Sequence, residues 1–109
     1  MNELNIYFTD DSELAEYEAT SRGYRIDVFV KIDNNFYNVR VYTMIRLRQN
    51  FDSDMKTYGL CLSEPNMILV NDSNRNEIIE TIKKIYKQKY FDEIKPVENI
   101  EIDKLVKVY

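Results

Sequence analysis

The most constraining feature of this sequence is a pair of alternating segments on either side of an acidic-amide turn. From Tyr24 to Ile32 the apolar residues Tyr24, Ile26, Val28, Val30 and Ile32 fall on one face and Arg25, Asp27, Phe29 and Lys31 on the other. Asp33-Asn34-Asn35 follows, and Phe36 to Tyr42 resumes the alternation. A period of two is the signature of a strand with one buried face, and Asp and Asn tolerate the backbone of a tight turn. The two segments therefore predict a β-hairpin at the centre of a sheet.

Other elements group around that hairpin. Leu4, Ile6 and Phe8 predict a short first strand. Thr9 to Ala19 begins with capping residues and acids suited to a helix start, with Gly23 to close it and a thin apolar face of Leu14 and Tyr17. Asn74 and, three residues later, Glu77 form a capping-box-like start for a helix over about 75–90, with Ile78, Ile79, Ile82, Ile85, Tyr86 and Phe91 as its apolar face. Ile78, Ile82 and Ile85 are expected to face the sheet.

Thr43 to Tyr58 fits two periods. Thr43, Ile45 and Leu47 prolong the strand, whereas Met44, Leu47, Phe51, Met55 and Tyr58 form a helical stripe. The preferred expectation is an extended strand to about Arg48 and then a polar connection through Asp52-Ser53-Asp54, with a helix as the alternative. Leu60-Cys61-Leu62 and Met67 to Val70, separated by Ser63-Glu64-Pro65-Asn66, predict a second hairpin. Ile100, Ile102, Val106 and Val108 suggest a terminal strand interrupted at Lys104. The expected fold is a single α+β domain over residues 1–109, a two-layer sandwich with an antiparallel sheet of four to six strands packed against one long helix.

Composition removes several function classes. There is no histidine, so the commonest general base and metal ligand are missing, and one cysteine leaves too few ligands for structural zinc. No glycine-rich phosphate loop exists among only two glycines. Neither a metal nor another cofactor is expected, and no catalytic set is recognisable. Cys61, flanked by leucines, reads as a buried and unreactive thiol in a strand. The acidic pairs Asp10–Asp11 and Asp52–Asp54 lack the oxygen count of a calcium loop.

A net charge of −4, from 15 basic against 19 acidic residues, is opposite in sign to a nucleic-acid footprint. Lys83, Lys84, Lys87 and Lys89, interleaved with Tyr86 and Tyr90, read as a solvated helix face, and Arg40, Arg46 and Arg48 as one face of a strand. No apolar run reaches the length of a membrane span, and the first residues lack a secretory pattern, so a cytoplasmic protein is expected. Before Arg22 the chain carries Glu3, Asp10, Asp11, Glu13, Glu16 and Glu18 and no basic residue. Segregated charge of this kind steers an oppositely charged protein, which makes Asp10, Asp11, Glu13, Glu16 and Glu18 the candidate partner-binding residues.

The order of hairpin, then Leu62-Ser63-Glu64-Pro65-Asn66-Met67-Ile68-Leu69-Val70, then the helix from Asn74 through Tyr90-Phe91, resembles small acidic immunity proteins of bacterial toxin systems over the middle two-thirds of the chain. The resemblance lies in size, charge and element order. It implies a non-enzymatic inhibitor that occludes a basic site on a toxin or nuclease. A phage-encoded inhibitor of a host defence enzyme has the same outline, and a structural or regulatory homodimer joined through a strand edge or sheet face is the alternative.

Overall fold

The computed structural model describes residues 3–109. Strand β1 (Leu4–Phe8) leads to helix α1 (Glu13–Arg22), then strands β2 (Tyr24–Ile32) and β3 (Asn35–Thr43), helix α2 (Met44–Tyr58), strand β4 (Met67–Val70), helix α3 (Arg75–Lys87) and strand β5 (Val106–Lys107). Short 3-10 turns occupy Tyr90–Asp92 and Ile102–Lys104. The five strands form one sheet in the order β4-β3-β2-β1-β5. All pairings are antiparallel except β3 with β4, which is parallel.

The α+β class, the central hairpin and the helix before Gly23 stand as expected, but the sheet is mixed, and among the described residues three helices accompany it where one long helix was expected to pack against it. Helix α3 contributes Ile78, Ile79 and Ile82 to the core, where they join Ile6, Phe8, Val28, Val30, Val39, Val41 and Phe91, and Ile85 packs at the margin. Its N-terminus is capped by Asn74, whose side chain accepts from the Glu77 amide at 2.8 Å. Helix α1 has only Ala19 buried and is tied to α3 by polar contacts: Ser73 Oγ donates to the Ala19 carbonyl at 2.8 Å, and the Glu16 carboxylate accepts the Arg75 amide at 3.0 and 3.1 Å. The Arg75 amide is one of the orphan donors at a helix start, so Glu16 acts as a second cap.

The alternation of β2 breaks at a β-bulge. Arg25 pairs with Val41 and Val28 with Val39, so Ile26 and Asp27 together oppose the single residue Arg40. An extra residue reverses the side-chain alternation before it. Ile26 is therefore exposed and Arg25 is turned in to near-complete burial, the reverse of the sequence expectation. Asn38 steadies the bulge by donating from Nδ2 to the carbonyls of Ile26 and Val28, each at 3.0 Å.

Two further corrections follow from one residue. Thr43 ends β3, and its hydroxyl accepts the Arg46 amide at 3.2 Å as the N-cap of α2. The chain is helical where an extended strand to Arg48 was expected, because the stripe of Met44, Leu47, Phe51, Met55 and Tyr58 spans four helical turns while the strand pattern rests on three residues. Ile45, which that strand would bury, is exposed. A helix between two strands of one sheet carries the chain back to its starting side, so β4 adds parallel to β3, and Leu60-Cys61-Leu62 forms no hairpin strand with it. At the far edge Val106–Lys107 pair with β1, backbone bonds between Ile6 and Val108 and Tyr109 continue the contact, and Ile102 and Lys104 lie in a 3-10 turn.

Candidate protein-binding surface

Helix α2 contributes no buried residue to the molecule. Met44, Phe51, Met55 and Tyr58 are 59%, 50%, 42% and 74% exposed, although they share one helical face with Leu47. The molecule is drawn out, with a radius of gyration of 14.4 Å and extents of 46 × 32 × 26 Å. A compact chain of this length has a radius near about 13 Å.

The segment after α2 borders this surface through Cys61 and Ser63. Gly59, at φ 76°, ends the helix by donating its amide to the Met55 carbonyl at 3.0 Å. The segment is fastened again at Glu64, whose carboxylate accepts from the Tyr42 hydroxyl at 2.8 Å and from Arg40 at 3.2 Å. Tyr42 itself stacks on Tyr24 with ring centroids 5.5 Å apart. Between the two fastenings, Leu60 and Leu62 stand 54% and 80% exposed. Met44, Leu47, Arg48, Phe51 and Asp52 of α2, with Cys61 and Ser63, line an open groove of about 420 Å³. Large apolar side chains gathered in one exposed patch are unusual for a chain that acts alone.

Cys61 belongs to that groove and not to a buried strand, so the sequence expectation is corrected: the thiol is half-buried. Burial, and then hydrogen bonding and charge from Asp54, push its pKa above the ordinary thiol value. A raised pKa disfavours the thiolate, which keeps the group a weak nucleophile at neutral pH. Asp52 and Asp54 sit on α2 rather than in a loop, and Arg46 and Arg48 sit on α2 rather than beside Arg40 on a strand.

The five acids of the N-terminal segment have diverse environments. Asp11 Oδ1 lies 3.0 Å from Arg75 Nε, Glu16 caps α3, and Glu18 pairs with Arg22 at 3.3 Å on exposed surface. Asp10 accepts the Ser12 amide at 2.9 Å, and hydrogen bonds from the Ser12 backbone and side chain hold its carboxyl below the ordinary carboxylate range. Glu13 is exposed and in no ion pair among the described residues. Asp11 and Glu16 thus have structural work that spacing alone does not reveal. Of the lysines on α3, Lys83 is paired with Glu80 at 3.2 Å and lies 5.1 Å from the ring centroid of Tyr109.

Among the described residues no three His, Cys, Asp or Glu side chains converge as a metal site, and no helix is long and apolar enough to cross a membrane. Compared with family models, with curated proteins and with solved structures, the chain matches none.

Proposed function

We propose that this chain is a non-enzymatic protein-binding module whose contact surface is the apolar face of α2 with the groove that it forms beside Cys61 and Ser63. The observation that supports this is the amphipathic stripe of a 15-residue helix none of whose residues is buried in its own chain, with only Leu47 of the stripe half-covered. A surface helix normally holds its place by burying such a stripe, since isolated helices of this length are marginal in water. A partner that covers the stripe gains the apolar area that the fold leaves in solvent.

The test uses Phe51→Asp and Tyr58→Asp, whose positions are exposed enough that the melting temperature should stay near wild type. A protein retained by the immobilised wild-type chain from its source cells is identified and purified, and its affinity for each variant is measured. Affinity should fall at least tenfold for both. An unchanged affinity for a folded variant removes α2 from the interface.

A second reading is an acidic inhibitor or immunity protein that occludes a basic site on a toxin or nuclease through Asp10, Asp11, Glu13, Glu16 and Glu18. It is favoured by Glu13, which is in no ion pair among the described residues, and by Glu18, whose pair with Arg22 lies on exposed surface. Because Asp11 and Glu16 support α3, the informative variant is Glu13→Lys/Glu18→Lys. Association with a basic partner should slow, and lose part of its salt dependence, if these acids steer it. Equal rates and equal salt slopes would remove this reading and leave the α2 surface.

A further inference from the structure

The pattern of α2 reads the same in both directions about Phe51. Leu47 and Met55 lie four residues to either side, and Met44 and Tyr58 lie seven. The intervals of three, four, four and three average 3.5, the mean spacing of a helix-pairing seam, with Met55 standing one position beyond the strict alternation of three and four, which falls on Asp54. An antiparallel partner with the same sequence would set Leu47 against Met55, Met44 against Tyr58 and Phe51 against itself. We propose that the occupant of the α2 face is the α2 of a second copy of this chain, packed antiparallel about a two-fold axis through Phe51. The proposal rests on the reading of α2 as the docking surface and names what docks there.

Charge supports a second copy over a uniformly basic or acidic partner. Arg48 and Asp52, four residues apart, share one flank of the stripe. In an antiparallel two-fold pair each flank faces its own copy, so Arg48 of one chain lies within about 3 Å of rise from the level of Asp52 of the other. The arrangement occurs twice by symmetry. Neither side chain is committed to an ion pair within the chain, among the described residues. Arg46 stands on the opposite side of the helix from Phe51, turned toward the body, with its guanidinium carbon 4.9 Å from the Tyr24 ring centroid.

The area also suits a closed pair. From the exposures of Met44, Phe51, Met55 and Tyr58 the apolar stripe offers on the order of 500 Å² per copy, taking roughly 200 Å² for each such side chain in the open. A stable interface needs about 800 Å² per partner, of which about three-fifths is apolar. A two-fold contact closes on itself, so the stripes would be consumed without further growth into a filament.

Sedimentation equilibrium on the wild-type chain should give a mass approaching twice 13.1 kDa as concentration rises. Arg48→Asp and Asp52→Arg should each weaken self-association, because like charges then face each other. An equimolar mixture of the two should restore it, which a folding defect in either variant could not do. Phe51→Cys in a Cys61→Ser background should form a disulfide-linked dimer on mild oxidation. A wild-type chain that stays monomeric, or a dimer indifferent to both charge changes and to Phe51→Asp, overturns the proposal. The broader reading is judged separately: a monomer whose Phe51→Asp variant loses a heterologous partner keeps α2 as the interface and removes only the second copy as its occupant.

Discussion

The guanidinium carbon of Arg25 lies 3.8 Å from the centroid of the Phe8 ring, inside the sheet layer and not at its surface. Arg25 is 5% exposed, bonds Asp27 from Nε at 2.9 Å and donates from a terminal nitrogen to the Asp10 carbonyl. The β-bulge makes this possible by turning residue 25 to the core face. Burial of a charge is tolerated where a carboxylate, a carbonyl and an aromatic face replace its water.

Arg25→Ala should therefore lower stability by about 2–3 kcal/mol, the scale of a charge-assisted hydrogen bond together with lost packing. Urea unfolding measures the change. Arg25→Met, which keeps the stem over Phe8, should recover part of it. Equal losses for both variants would assign the whole effect to the polar partners.

Gly23 joins three elements. It ends α1 at φ 76°, its carbonyl accepts the Thr43 amide at 2.8 Å, and a Cβ placed there would stand 2.7 Å from Thr43 Oγ1 and 3.0 Å from Arg46 Cβ. Gly59 has the same φ of 76°, yet nothing lies within 4 Å of its Cβ position. Gly59→Ala should cost about 1 kcal/mol from the left-handed backbone alone, and Gly23→Ala about 2–3 kcal/mol because it also displaces the cap of α2. Thermal unfolding of the two variants checks the difference, and equal costs would show that the Thr43 contact yields freely.

The hairpin, the capped start of α3 and its isoleucine face could be read in the sequence because a local period and a local cap agreed. The bulge could not, since Tyr24 to Ile32 alternates without interruption and the sequence pattern favours burying Ile26 over Arg25. Thr43 misled for a related reason: a threonine suits both the end of a strand and the cap of a helix, and the residues after it satisfied both periods for one turn. The parallel placement of β4 depends on where α2 returns the chain, a tertiary fact that Met67 to Val70 do not carry. At the candidate surface the stripe of α2 was visible as a period, but its exposure was not, because an apolar face looks the same whether or not anything covers it. The acids of α1 were visible as charge, while the engagement of Glu16 with Arg75, 59 residues away, was not.

The contrast between α3 and α2 gives a direct test of this difference. Ile82 is 1% exposed and Phe51 50% exposed. In dilute solution, Ile82→Ala should cost about 2–5 kcal/mol as a core truncation, whereas Phe51→Ala should stay within about 0.5 kcal/mol. Urea midpoints for the two variants decide the matter. A large loss at Phe51 would mean that α2 packs against its own chain after all.

The fastening of Tyr42 to Glu64 carries a pH signature. Burial, followed by the hydrogen bond to Glu64 and the charge of that carboxylate, raises the Tyr42 pKa from 10.0 to about 12. The fold thus favours the protonated phenol, so the stabilisation is fully present below the ordinary tyrosine pKa, begins to fall as pH rises past 10, and is lost above about 12. Tyr42 should ionise late in an absorbance titration, as should Tyr90, whose phenol burial also pushes up, and Tyr42→Phe should remove the Tyr42 contribution alone. The variant should also lose about 1–2 kcal/mol at neutral pH, since Glu64 would keep Arg40 but not the phenol donor. Because Glu64 anchors the far end of the Leu60–Leu62 segment, loosening it should expose Cys61 and speed its alkylation in the folded state. Unchanged alkylation in a folded Tyr42→Phe protein would show that Arg40, and Asn66 whose side chain donates to the Asn38 carbonyl at 3.0 Å, hold the segment without the tyrosine.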